Sequence, residues 1–338
     1  MVGKHISSEV FKPLIWGKGA YSSLFIFFVS VMISVTGNIF EWGALTSFFK
    51  VATWCSLLGY FVCSIVYVNI GLQGWNTRFF TILFFIVLFL FIGMALVMMI
   101  ADAMYIDKSA FIKVLTSGFV FDALQLSVVT SAITVLIALC FAVPMGYVLS
   151  RFRFPGRIFV DTLVDIPIVF PPLVAGLTLL IFFSQTAFGQ WVQEGMGIEF
   201  VFQPKGIVLC QFVVSASFAI RSIKSAFDDI DRRLEKVALT LGCTQWGSFF
   251  RVSLPMASGG IVAGAILTWA RAFGIFGPLM IFVGSFRGRT EVLSTTIFLE
   301  QSVGNLEVAL AVALLMIIIA LVALVTIRLV GGKALVKI

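Results

Sequence analysis

Long apolar runs separated by short polar segments set the pattern of this chain. A helix needs ~20 apolar residues to cross ~30 Å of hydrocarbon, and eight runs approach or exceed that length. They lie at about 20–40, 51–72, 79–101, 122–150, 160–184, 204–224, 255–283 and 304–328. Strands of a membrane barrel would instead alternate over short stretches. The pattern therefore predicts an all-α polytopic membrane protein with about eight transmembrane helices.

The polar segments divide these runs into groups. Three runs form an N-terminal membrane region at 1–101, a polar connector follows at 102–121, five runs form a core at 122–330, and 331–338 is a tail. We find no internal repeat and no polar segment long enough for a soluble domain. The core is interrupted before its fourth run by a charged segment at 228–254, referred to below as the 228–254 segment.

Composition and charge agree with a membrane protein. The chain is 60% hydrophobic and 12% charged, with 37 Phe, and a soluble fold could not cover so much apolar surface. If the N-terminus is cytoplasmic, 16 of the 23 Lys and Arg lie on the cytoplasmic side and six on the outer side. This bias places the 228–254 segment in the cytoplasm. It also explains the net charge of +7 without a nucleic-acid partner.

The residue types needed for several kinds of site are scarce. The five Cys have no CxxC spacing, and His5 is the single His, so we expect no disulfide and no metal site. No phosphate-binding GxxxxGK[ST] motif is present. Any ATP that the protein uses must be bound by another chain.

The 228–254 segment has the pattern of a short amphipathic helix. Asp228, Asp229 and Asp231 are predicted to open it, since carboxylates complement a helix N-terminus. One apolar stripe follows at helical spacing: Ile230, Leu234, Val237 and Leu241. Gly242 is placed for a left-handed C-terminal cap, and Pro255 suits the first turn of the next span. Such a helix lies on the lipid surface or docks in a groove of a cytoplasmic partner; the pattern leaves both open.

Three stretches resemble known permeases. Glu235-Lys236-Val237-Ala238, then Gly242, then Leu254-Pro255 resembles the "EAA" loop of permease subunits of bacterial ABC importers. The stretches 151–180 and 269–298 are similar to the molybdate/tungstate/sulfate-type permeases, and the likeness covers roughly 120–330. The chain departs from the loop pattern at two positions, since Lys236 stands where Glu is usual and Val237 replaces an Ala.

The resemblance implies a type I ABC importer permease with a five-helix core in the prokaryotic inner membrane. Implied partners are a second permease, usually identical, two cytoplasmic ATPase subunits that bind ATP and Mg²⁺, and an extracytoplasmic binding protein. The chain itself would be non-catalytic and bind no cofactor. The implied substrate is a small oxyanion such as molybdate, tungstate or sulfate. The expected ATPase-coupling residues are Asp229, Leu234, Glu235, Lys236, Val237, Ala238, Gly242, Leu254 and Pro255.

Two alternatives to this function stay open. One is the same architecture with a different substrate. The other is an ion-coupled secondary transporter, which would need carboxylates inside the membrane and commonly has repeated halves.

Arg271 is the residue most suggestive of a translocation path. An Arg deep in a span is costly unless it faces protein, water or a partner. It is expected to pair with a carboxylate or carbonyl of another helix, to face the path and favour anions, or to extend toward the interface. The similar permeases usually have Glu four residues later, where this chain has Ile275.

Proline and aspartate mark the second core run. Pro167, Pro171 and Pro172 predict a kinked helix that lines the path, since irregular backbone within a membrane must face protein or water. Asp161 and Asp165 near its cytoplasmic end are expected to be interfacial caps or, less simply, a proton relay.

Overall fold

The structure, a computed structural model, describes residues 75–335, and the regular elements in this range are all helical. The predicted runs at 20–40 and 51–72 lie outside the described residues. The helices are α1 Trp75–Tyr105, α2 Lys108–Thr116, α3 Gly118–Arg151, α4 Arg157–Val169, α5 Pro172–Gln185, α6 Ala187–Gln190, α7 Pro204–Asp228, α8 Arg232–Thr240, α9 Gln245–Ser248, α10 Leu254–Met256, α11 Ser258–Phe273, α12 Gly277–Phe282, α13 Leu293–Ser302 and α14 Leu306–Leu335. Single π-helical turns follow α6, at Trp191–Gly195, and α9, at Phe249–Ser253.

The chain forms two compact units, residues 1–112 and 113–338. In the described part of the first unit, α1 is an apolar helix long enough to cross a membrane, as predicted for 79–101. In the second unit α3, α7 and α14 each meet the same test. Long apolar helices are therefore confirmed for the predicted runs at 122–150, 204–224 and 304–328.

The predicted span at 160–184 is broken into two helices. α4 and α5 meet at an angle of 108°. Pro171 precedes α5 and Pro172 is in its first turn, where neither can donate the backbone hydrogen bonds that would continue α4. The prolines were predicted to kink one helix, and the observed break is larger than a kink.

The predicted span at 255–283 is not one continuous helix. α11 bends by 66° from the α9–α10 stretch before it and ends at Phe273, and a new helix, α12, starts at Gly277. Pro278 in the first turn of α12 fixes this restart, since a proline is favourable at the beginning of a helix and not inside one. A further helix, α13, lies between the predicted runs at 255–283 and 304–328.

α7 is the central helix of the second unit and packs against α3, α4 and α11. Small residues allow the closest approach between α7 and α11. A Cβ placed on Gly260 would lie 2.1 Å from the Cβ of Ala226, which is impossible without moving one helix. Glycine at this position therefore sets the distance between the two helices.

Candidate functional site

The start of α8 differs from the prediction. α7 continues through Asp228, and Asp229 caps its C-terminus, so neither residue opens α8. Phe227 is fully buried, and its packing extends α7 beyond the polar boundary in the sequence. Asp231 alone is the N-terminal cap of α8, and its carboxylate accepts a hydrogen bond from the Arg233 backbone N–H at 2.9 Å.

The end of α8 confirms the predicted left-handed cap. Gly242 has φ +88°. Its N–H donates to the Leu239 carbonyl at 3.1 Å, and the Cys243 N–H donates to the Ala238 carbonyl at 3.0 Å. These two bonds form a Schellman motif, which favours glycine because other residues are strained at positive φ. The coupling role of Gly242 stays a prediction.

Glu235 connects α8 to the membrane helices. Arg151 Nε, at the end of α3, lies 2.8 Å from Glu235 Oε1, and the two side chains are 6% and 14% exposed. Ser253 and Tyr147 donate hydroxyl hydrogen bonds to the same carboxylate at 2.7 and 3.3 Å. Arg151 also donates to the Ile230 carbonyl at 3.1 Å. One carboxylate thus joins α8, α3 and the π turn before α10.

The rest of α8 presents an apolar face to the outside. Leu234, Val237 and Leu241 are 42%, 54% and 80% exposed, and their spacing puts them on one side of the helix. Lys236 is exposed as well, whereas Ala238 is buried. We call Leu234, Val237 and Leu241 the α8 face; the described residues leave it uncovered.

The connection from α8 to α11 has an aromatic and a proline signature. Trp246 and Phe250 are exposed and stack with ring centroids 6.0 Å apart. Pro255 cannot donate to the Arg251 carbonyl, and the π turn Phe249–Ser253 lies directly before it, where such a backbone irregularity is expected. Leu254 is half-buried and begins α10.

Arg271 lies in the last turn of α11 with its side chain exposed. Its guanidinium carbon is 5.8 Å from the ring centre of Phe218 on α7. Among the described residues it forms neither an ion pair nor a hydrogen bond, so the expected carboxylate or carbonyl partner is not found there. Ile275 is buried in the apolar core, and its carbonyl accepts from Ser294 Oγ at 2.6 Å.

A concave surface of about 430 Å³ follows α7 and α11. It is lined by Phe218, Arg221, Ser222, Ser225, Ala226, Asp229, Gly260 and Leu267. Together with Arg271 we call this surface the α7–α11 face. Two polar side chains of this face have partners within the chain: Arg221 binds Asp165, and Ser222 donates to the Gly260 carbonyl at 3.1 Å. Arg271 has no ion pair or hydrogen bond among the described residues, and an unpaired arginine is costly in hydrocarbon.

Pro171 and Pro172 lie at the α4–α5 break, and both are exposed. The helix that they start packs tightly against α12. A Cβ on Gly176 would lie 2.5 Å from the Pro278 carbonyl oxygen, so a larger residue there would separate the two helices.

Ion pairs between α4 and α7 were missed in the sequence. Arg221 on α7 binds Asp165 through two nitrogens, and its Nη1 is 3.3 Å from Asp161. Lys224 Nζ is 3.1 Å from the other Asp161 oxygen. The aspartates thus hold α4 to α7 as ion-pair partners. The sequence did contain a signal for these ion pairs. Asp161 and Asp165 on one predicted span and Arg221 and Lys224 on another lie near the same, cytoplasmic end.

A second missed cluster lies between α12 and α14. Glu291 and Glu300 are 3% and 4% exposed; Arg287 binds Glu300 and its Nε is 3.8 Å from Glu291. Asn305 donates to Glu300 at 2.9 Å. Neither Glu291 carboxylate oxygen has a hydrogen-bond donor among the described residues. Burial raises the pKa of Glu291 above its ordinary value.

Residues 139–334 match the family described as "binding-protein-dependent transport system inner membrane component". Over 228 residues the chain is 38% identical to the molybdate/tungstate transport system permease protein WtpB of Thermococcus kodakarensis. The aligned region is 67% of this chain and 85% of WtpB. It is 33% identical over 205 residues to the molybdenum transport system permease protein ModB of Escherichia coli, and the aligned region is 60% of this chain and 90% of ModB. It is 32% identical over 244 residues to the sulfate transport system permease protein CysT of the same organism, and the aligned region is 72% of this chain and 87% of CysT.

A solved structure has the same fold. The chain matches a bacterial ABC transporter involved in the import of the acidic polysaccharide alginate with a TM-score of 0.60 and 18% identity. The match covers 80% of this chain and 96% of the other.

Proposed function

The chain belongs to the family of binding-protein-dependent transport system inner membrane components, and we propose that it is the permease subunit of an ATP-driven importer for a small oxyanion. It is a multi-pass membrane protein. The curated relatives named above, at 32–38% identity, are described as permeases for molybdate, tungstate or sulfate. In the proposed assembly two copies cross the membrane, each with about eight spans and a five-helix type I core at 122–330. An extracytoplasmic binding protein delivers the anion.

The observation that carries this proposal is the attachment of α8. A helix that floats on lipid is held by its apolar face, whereas α8 is bonded to α3 and the π turn through Glu235, and the described residues leave the α8 face uncovered. An ATPase subunit seated on the α8 face can therefore push α8 as a rigid body. The buried pair of Glu235 and Arg151 passes that motion to the membrane helices. ATP and Mg²⁺ bind on the ATPase chains, and this chain holds no cofactor.

The attachment separates the expected coupling residues into two groups. Leu234, Lys236 and Val237 are exposed and contact the ATPase in this proposal. Glu235 and Ala238 face inward and connect α8 to its own chain. In this division Glu235 links α8 to its own chain and does not contact the ATPase. It can therefore keep that role although Lys236 stands where the family usually has Glu.

The α7–α11 face supports a path between two copies. Arg271, which forms no ion pair among the described residues, needs protein or water around its charge, and a second permease across a water-filled path provides both. Arg271 then faces the path and favours anions. Alternating access follows if movement of α8 opens this path first to one side of the membrane and then to the other.

Uptake into proteoliposomes tests the proposal. The permease is reconstituted with its ATPase and binding protein, and uptake of sulfate, molybdate and tungstate is measured with and without ATP. We expect ATP-dependent uptake of one or more of these anions. Uptake that persists without ATP would refute the importer, and ATP-dependent uptake of a different solute would refute the oxyanion.

Three variants, of which the two leucine changes are a matched pair, test the parts of the mechanism. Leu241→Asp, on the α8 face, should abolish ATPase attachment, whereas Leu239→Asp, on the same helix but off that face, should affect it less. Arg271→Met should lower uptake while leaving ATPase attachment intact. Equal attachment in both leucine variants would contradict docking on the α8 face.

A further inference from the structure

We propose that Gln211, a buried amide on α7, is a positioning residue for Arg271: it holds the carbonyl end of α11 and so fixes where the Arg271 guanidinium lies on the α7–α11 face. This inference rests on the proposed transport role of Arg271. It adds a residue that the sequence did not single out and that does not itself face the path.

Gln211 is bonded to two neighbouring helices. It is 2% exposed. Its Nε2 donates to the Ala272 carbonyl on α11 at 3.1 Å and lies 3.5 Å from Thr130 Oγ1 on α3. Its Oε1 accepts from Thr134 Oγ1 at 2.9 Å. Both ends of the amide are therefore occupied, and its orientation is fixed.

The break after α11 explains why an amide is needed there. In a continuous helix the Phe276 N–H would donate to the Ala272 carbonyl, but α11 ends at Phe273. The Ile275 N–H reaches this carbonyl only at 3.4 Å. A poorly satisfied carbonyl is costly inside a membrane, and Gln211 adds a second, shorter hydrogen bond to this one at 3.1 Å. Ala272 directly follows Arg271, so this bond fixes the backbone next to the arginine.

A second α7 residue contacts the arginine side chain. Phe218 is seven residues after Gln211, two helical turns further along the same side of α7, and its ring lies beneath the guanidinium. α7 thus contacts both the backbone next to Arg271 and the Arg271 side chain. A movement of α7 against α11 would move the arginine in the path.

Spin labelling tests the position directly. In the assembled complex with all native cysteines replaced, a label is attached at Arg271→Cys or, as a control site two turns earlier on α11, at Ala263→Cys. Gln211→Met keeps the length of the side chain but removes the amide. Val214→Ala is the matched control, since Val214 is buried on α7 without bonding Ala272. We expect Gln211→Met to increase the mobility of the label at 271 alone, and Val214→Ala to change neither label. An unchanged label at 271 in Gln211→Met would overturn the proposal.

Uptake separates this inference from the proposed function. Gln211→Met should lower uptake at saturating loaded binding protein by about fivefold, the equivalent of one hydrogen bond. The double variant Gln211→Met with Arg271→Met should take up substrate no more slowly than Arg271→Met alone, because both changes act through the same guanidinium. Additive losses would overturn the inference. Full uptake by Arg271→Met alone would refute the path role of Arg271, and the label at 271 would still decide whether Gln211 holds the end of α11.

Discussion

Replacing Glu235 by alanine should detach α8 from the membrane helices. The change leaves Arg151, 6% exposed, as an uncompensated buried charge, and breaking such a pair costs about 3–5 kcal/mol. Ser253 and Tyr147 also lose their acceptor, at about 1 kcal/mol for each hydrogen bond. Part of this cost is recovered if water enters, so we expect a net loss of about 3 kcal/mol in the local stability of α8.

Hydrogen exchange of the permease reconstituted without its ATPase, which Lys236 is proposed to contact, measures this loss. About 3 kcal/mol corresponds to roughly a hundredfold faster exchange of the α8 amides. Uptake per ATP hydrolysed should fall, because a detached α8 no longer moves α3. Lys236→Ala is the control, since it removes an exposed neighbouring charge and should change exchange by less than about twofold.

A double variant gives a second control. Arg151→Met with Glu235→Leu replaces the pair by apolar side chains and should regain most of the stability, because the desolvation cost of both charges disappears. The reasoning is refuted if Glu235→Ala exchanges as slowly as Lys236→Ala, or if the double variant is no more stable than the single one.

Three further predictions concern other parts of the chain. Gly242→Ala should cost about 1 kcal/mol, since φ is +88° and the added Cβ meets no atom within 4 Å; uptake per ATP should fall, and Gly247→Ala is the control. Asp161→Asn should lower thermal stability by less than about 1 kcal/mol, because its ion pairs are partly exposed. Burial raises the pKa of Glu291 above 4.5, so the folded state binds this proton more tightly than the unfolded state and stability falls as pH rises above 4.5. Glu291→Gln should remove this loss of stability, which is measured as the thermal unfolding temperature from about pH 4 to about pH 8. The same dependence of unfolding temperature on pH in the variant and the unchanged protein would contradict the prediction.

The sequence patterns correctly predicted those features whose structure depends only on residues nearby in the chain. The spans α3, α7 and α14 follow from the length of their apolar runs, since a helix that crosses the bilayer has to be apolar over its own length. The Gly242 cap follows from a local requirement for positive φ. Asp228 and Asp229 were misassigned because the local rule for helix caps does not include the burial of Phe227, which extends α7.

The sequence by itself determined that the chain crosses the membrane as helices, where a charged helix interrupts them, and how that helix ends. Tertiary structure decided the angle between α4 and α5 and the partner of Glu235. Arg151 is 84 residues from Glu235 in the chain, and no periodicity joins positions so far apart. The pairing of a buried charge depends on which helices pack together, and that is set by the shapes of entire helix surfaces and not by any one segment.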